Sequence, residues 1–251
     1  AGGLAYADVN SDYYILDIPF GFNLKGAVLY QDVKFRLRDS RFFLGGKLLA
    51  LETDSTFNLT VGPNTEIQLG DIKSRNIGLA AELMFDGRDN TFTPNRGQYF
   101  QFDVWRFDNA FGGDYDYWAA KLKFLSFHQL HQKFVLGLRL ETSAVDGLAP
   151  FYADPWISMR GIPALRYQGK RVGMIEVEAR WNIMSRWAIL GFGGVGEVGG
   201  NDPAFTTKDN IYAGGVGARY FLMRDLGLWL GVDIARGPED TYGYLTVGHA
   251  W

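Results

Sequence analysis

The sequence contains no cysteine, which excludes disulfide staples and thiolate metal sites. It also lacks any apolar run of the ~18 residues that mark a membrane-crossing helix. A strand-built membrane protein escapes that test, because each strand carries only alternate apolar residues. Histidine is scarce, with only His128, His131 and His249. Neither sign of charge dominates: 25 basic residues face 28 acidic ones, for a formal net charge of −3. A nucleic-acid-binding chain would be expected to carry a basic excess. The first residues, Ala1-Gly2-Gly3, have neither the basic nor the apolar stretch of a secretory signal.

What is abundant is glycine, with 32 residues, and aromatic side chains, 16% of the 251 residues. These are set in runs of strict alternation. In the stretch from Met174 to Trp181, Ile175, Val177, Ala179 and Trp181 share one face, and Glu176, Glu178 and Arg180 share the other. That pattern is a strand period. A soluble sheet buries its apolar face, whereas a transmembrane barrel turns it toward lipid and keeps charge for the lumen.

The same reading along the chain predicts twelve strands and no helix. They cover residues 13–22, 27–38, 41–51, 76–85, 98–107, 115–127, 133–143, 173–183, 186–198, 211–223, 226–235 and 242–251. Residues 1–12 read as an N-terminal extension and 53–74 as a polar loop. Soluble strands average about 5–6 residues, so strands of this length favour an all-β transmembrane antiparallel barrel over a soluble sandwich or propeller. Short turns alternate with longer loops, the outer-membrane pattern. Tyr14, Trp118, Trp181, Trp187, Tyr220 and Trp251 are candidates for the interfacial girdles. Leu16, Leu29, Leu83, Leu122, Val177, Val216 and Leu230 are expected to face lipid. Closure removes edges that lipid cannot satisfy, so residues 242–251 are expected to pair with 13–22.

Several motifs resemble, in order, those of the BamA / two-partner-secretion transporter superfamily, the bacterial surface antigen barrel domain. Asp86-Gly87-Arg88-Asp89-Asn90 with Pro94 and Gly97 is similar to its periplasmic turn. Arg160-Gly161-Ile162 resembles its RG-motif loop, Glu178-Ala179-Arg180 its E-L-R strand, and the run from Gly215 to Tyr220 its G-x-G-L-R-Y strand. Residues 244–251, with Gly248 and the terminal Trp251, resemble its C-terminal signal.

The resemblance covers 85–251 and implies an outer-membrane barrel of a Gram-negative-type bacterium. It also implies a non-enzymatic role in inserting or translocating protein or lipid. Its implied partners are the bilayer, the machinery that inserts the barrel itself, and a protein client or periplasmic partner. No cofactor or nucleic acid is implied. The twelve strands align with the last twelve of the family's sixteen, without POTRA modules. The alternatives are a passive barrel, acting as narrow pore or scaffold, and a wall-embedded hydrolase.

In the resemblance, the long segment 146–171 enters the lumen and its Arg160 meets wall carboxylates, Glu178 first and Glu176 next, with Arg180 and Arg219 on the same wall. A guanidinium makes a forked pair with a carboxylate. One departure is Gly194, where the family's F-x-D-x-G strand has Asp, so the contact is expected to be weaker or shifted toward the eighth strand. A wet lumen would hold the worth of the contact to about 1–2 kcal/mol, near that of charged hydrogen bonds.

Other patterns have ordinary readings. Gly191, Gly193 and Gly196 match G-x-G-x-x-G, but a loop follows where a dinucleotide site needs a helix; the glycines suit a bent strand or a closely approaching loop. His128 and His131 suit a polar turn more than a metal pair. Asp114 and Asp116 suit a solvated loop more than a calcium site. A hydrolase needs an outward-facing His beside a Ser, and no matching Ser is apparent.

Overall fold

The computed structural model describes residues 2–15, 18–60, 66–200, 210–223 and 226–251. Its strands are β1 (Gly2–Ile15), β2 (Ile18–Arg36), β3 (Phe42–Thr60), β4 (Glu66–Asp86), β5 (Gly97–Phe107) and β6 (Asp116–His131), then β7 (Phe134–Leu148), β8 (Arg171–Asn182), β9 (Trp187–Gly199), β10 (Asn210–Met223), β11 (Leu228–Arg236) and β12 (Thr241–Val247). They form one antiparallel sheet in strict sequence order. The fold is all-β, and among the described residues no helix is long and apolar enough to cross a membrane.

Alternation sets which way each side chain points. On β8, Ile175, Val177 and Trp181 are exposed, while Glu176, Glu178 and Arg180 are buried. This is the reverse of a soluble sheet, and other strands share it. Leu29, Val216 and Leu230 are exposed, and Leu83 and Leu122 are half-buried among their neighbours. Leu16 lies outside the described residues. Trp118, Trp181 and Trp187 are exposed, with the Trp187 and Tyr220 rings 5.0 Å apart.

The inward face is charged with both signs, and the charges pair. Lys34 and Lys47 reach Glu82 at 3.0 and 3.1 Å, and Lys47 reaches Asp103 at 2.7 Å. Side chains from strands distant in the order also meet, as when Trp251 lies 6.2 Å from Phe127 of β6. The sheet therefore curls around a lumen.

The structure corrects four expectations. Residues 2–12 are strand rather than an extension, and β1 pairs with β2 from Gly2↔Gln31 to Ile15↔Ile18. The expected first strand straddles that hairpin. Most of the expected polar loop 53–74 belongs to β3 and β4, which pair from Phe42↔Phe85 to Thr60↔Glu66. Closure is not seen either: among the described residues no ladder joins β12 to β1.

The fourth correction concerns the C-terminus. β12 ends at Val247, and Gly248 takes φ +81, a left-handed conformation that suits glycine. A Cβ there would lie 2.8 Å from the Phe92 carbonyl. The chain turns inward, placing His249 and Trp251 in the lumen, their rings 4.8 Å apart. Trp251 is thus no part of an interfacial girdle.

Candidate functional site: a plug fastened by Arg160

Between β7 and β8 the chain folds back on itself as a compact plug. A bridge joins Trp156 to Gln168, and Ile157 N–H donates to the Tyr167 carbonyl at 3.0 Å. Pro150, Pro155 and Pro163 restrict the backbone. Ile157, Met159, Ile162 and Tyr167 bury themselves against Val172, Met174, Val198 and Ile211 of the wall. The glycines of β9 make room for this. A Cβ at Gly194 would lie 2.9 Å from Met159 Sδ, and one at Gly196 would lie 2.7 Å from Ile157 Cδ1.

That packing delivers Arg160 to the wall. Its Nε and Nη2 donate to Glu176 Oε1 at 3.0 and 2.7 Å, and Nη2 also donates to Glu178 Oε2 at 2.8 Å. Nη1 donates to Asp233 Oδ2 on β11 at 3.0 Å. The guanidinium carbon sits 3.5 Å from the centroid of the Phe192 ring, within cation–π reach. Side-chain exposure is 8% for Arg160, 2% for Glu176, 3% for Glu178 and 0% for Asp233, so the group is nearly dry.

Two more arginines and a histidine complete the cluster. Arg219 grips Asp233 with Nη1 to Oδ1 at 2.5 Å and Nη2 to Oδ2 at 2.9 Å. Arg139 Nη1 donates to Glu176 Oε2 at 3.2 Å. His249 Nε2 lies 3.3 Å from Glu178 Oε1. Gly161 follows Arg160 at φ +94, and its N–H donates to Tyr244 Oη of β12 at 2.8 Å. Ile162 is among the buried plug residues.

Alternation along β11 puts Asp233 on the lumen face, but nothing in the sequence makes it a partner of Arg160. Nor does the sequence mark Phe192, Tyr244 or His249 for these roles. Alternation gives the face of a residue, but only the curl of the sheet brings β11 and β12 across to the plug.

The turn 87–96 forms a second assembly at the short-turn rim. Arg88 forks onto Asp86, Nε to Oδ1 at 2.9 Å and Nη2 to Oδ2 at 2.8 Å. Asp89 Oδ1 accepts the N–H groups of Asn95 and Arg96 at 2.9 and 3.2 Å. Asn90 Oδ1 accepts those of Phe92 and Thr93, both at 2.8 Å. Gly97 has φ +104, and a Cβ there would lie 2.3 Å from the Gly87 carbonyl. Pro94 is fully buried. Arg180 holds the turn from β8, donating to the Pro94 carbonyl at 3.3 Å and to Asn95. Arg180 therefore serves this turn rather than the Arg160 cluster.

The remaining candidates have local partners. His128 Nε2 lies 2.8 Å from Ser126 Oγ on the same strand, but Ser126 is buried and closed to a substrate. His131 Nδ1 accepts the Lys133 N–H at 3.3 Å. Asp114 accepts the Arg75 N–H at 2.6 Å, and Asp116 pairs with Arg106 at 2.5 Å.

Gly194 yields a prediction. Restoring the family's Asp should destabilise the barrel, because its Cβ would lie 2.7 Å from the Ile175 carbonyl and 2.9 Å from Met159 Sδ. Overpacking of this kind costs about 1–3 kcal/mol. Thermal unfolding of Gly194→Asp, followed by the gel shift between folded and heated barrel, measures it; an unchanged midpoint would show that the plug yields.

The comparisons with known proteins bear on the fold, and the family match stops short of Arg160. Residues 8–158 match the Omp85 superfamily domain. No curated protein matches the chain. Among solved structures it is similar to BamA from Haemophilus ducreyi lacking POTRA domains 1–3, with TM-score 0.67 and 13% identity over 98% of this chain and 58% of that one. It is also similar to CdiB from Acinetobacter baumannii, with TM-score 0.63 and 16% identity over 92% of this chain and 43% of that one. The chain thus spans less than two thirds of either structure, and the likeness is one of fold. With more than half its length matched by the family's domain, the chain is an outer-membrane β-barrel protein that belongs to the Omp85 superfamily.

Proposed function

We propose that this barrel takes part in inserting or translocating protein, or lipid, at the outer membrane, with the plug as its movable stopper. The observation that carries the reading is the fastening of the plug. Arg160 binds three carboxylates on two strands, β8 and β11, so one side chain holds the stopper to separate parts of the wall. A selective pore would line its path with one sign of charge, whereas here both signs line the wall and many of them pair. In this reading Arg160, Gly161 and Ile162 seat the plug, Glu176, Glu178, Asp233 and Arg219 receive it, and the turn 86–97 braces the opposite mouth through Arg180. The partners are the bilayer and a protein client.

Two measurements test it. In planar bilayers the protein should give small, irregular current events; steady, large unit conductance would favour the passive pore. In proteoliposomes, an unfolded outer-membrane protein should fold faster than in empty liposomes. No acceleration would leave the scaffold reading in its place.

A further inference from the structure

A cavity of about 500 Å³ lies in the lumen between the plug and the wall of β3 to β8. That is the size of an ordinary small-molecule site, roughly 300–1,000 Å³. Its wall is apolar, formed by Leu49, Leu51, Trp105, Val145 and Met174, and the plug contributes Trp156. Leu49, Leu51 and Trp105 are only half-buried although they face inward. Apolar surface left to water costs roughly 25 cal/mol per Å², so this trough favours an apolar occupant.

At its charged border, cations gather around a single carboxylate, Glu141. Glu141 and Lys121 both line the cavity. Glu141 is shared by three cations: Arg139 at 3.0 Å, Lys123 at 3.4 Å and Lys121 at 3.7 Å. Lys121 is the most distant and its side chain is 55% exposed. One carboxylate cannot neutralise three cations, although Arg139 also reaches Glu176. Elsewhere the cavity meets Asn76 and Tyr117, which hydrogen-bond to each other at 2.7 Å. This polar end bounds the length of any apolar tail.

We propose that this cavity binds a single-chain amphiphile of medium length, its anionic head on Lys121 and its tail along Leu49, Leu51, Trp105 and Met174. The site adjoins the Arg160 cluster through Arg139, which reaches both Glu141 and Glu176, but it does not depend on the insertion reading.

The test uses the protein in nanodiscs and a medium-chain fatty acid bearing a diazirine at its tail end. Cross-linked residues are mapped by mass spectrometry. Label is expected on inward-facing Leu49, Leu51, Trp105 and Met174. An unlabelled fatty acid should compete it away, and the corresponding alcohol should not. Lys121→Glu should weaken labelling by about tenfold, the worth of one charge-assisted hydrogen bond. Ala119→Trp, which fills the lined space, should abolish it. The gel shift on heating confirms that both variants remain folded. Label confined to outward residues such as Leu48, Val104 and Leu122 would overturn the proposal. So would equal competition by the alcohol, or lumen labelling indifferent to both substitutions.

Discussion

Arg160→Ala is expected to cost about 3–5 kcal/mol, the loss found when one partner of a buried ion pair is removed. Three carboxylates lose a shared counter-charge at once, and none is more than 3% exposed. Arg219 still holds Asp233, and Arg139 still holds Glu176, so the barrel should remain folded. Glu178 keeps the approach of His249. The loss should therefore fall on the plug, seen as faster protease cleavage within 149–170 and a lower unfolding midpoint. Arg160→Lys separates geometry from charge. Lysine is a point charge without the fork, so it should recover only part of the loss. A variant as protease-resistant as the wild type would show that packing by Ile157, Met159 and Tyr167 alone seats the plug. The sequence-based expectation of about 1–2 kcal/mol rested on a wet lumen, and burial of the cluster raises it.

The same cluster shows what a sequence can carry. Alternation places Glu176, Glu178, Arg180, Arg219 and Asp233 on the lumen wall, because a strand of period two has only two faces. It does not give height along the barrel or neighbours across it. Arg180 shares a face with Glu178 and stands two residues away, yet the rise of the strand carries it to the turn at Pro94 and Asn95. Asp233 lies 73 residues from Arg160 and still meets it at 3.0 Å.

The outer parts of β3 and β4 were hidden for a different reason. There Thr53, Asp54, Ser55, Lys73, Ser74 and Arg75 interrupt the apolar alternation, which Phe57, Leu59, Ile67 and Leu69 resume farther along the sequence. A transmembrane strand needs only about 9–11 residues, whereas β3 has 19 and β4 has 21. The excess is a ladder beyond the lipid, held by backbone pairing and by contacts such as Arg75 Nε to Glu52 at 2.7 Å. Hydrophobic alternation does not carry a strand across so polar an interruption. Trp251 was misread because a terminal aromatic after an alternating run reads as one more strand residue. The signal that could have found its inward course is Gly248, where the left-handed turn occurs.

Val177→Arg tests the other face of the wall. Val177 stands midway along β8, paired with Leu138 on β7 and Gly193 on β9, and it is 41% exposed. Gly193 offers no side chain to shelter a substituent, and the nearest atom to a Cβ there is the Ala213 carbonyl at 3.8 Å. An arginine in place of Val177 would therefore enter the hydrocarbon at mid-depth, where it costs about 2–4 kcal/mol. The guanidinium cannot swing inward, since the strand period fixes its Cβ outward and Glu176 and Glu178 occupy the inner side. Reversible unfolding in urea from lipid vesicles measures the difference. Val177→Thr, close in shape but uncharged, should lose much less. If Val177→Arg unfolds at the same urea concentration as the wild type, residue 177 does not face lipid, and the orientation of the whole wall would have to be reversed. Because Glu176 and Glu178 are set on the opposite face by the same alternation, that result would also remove the physical basis for the Arg160 cluster.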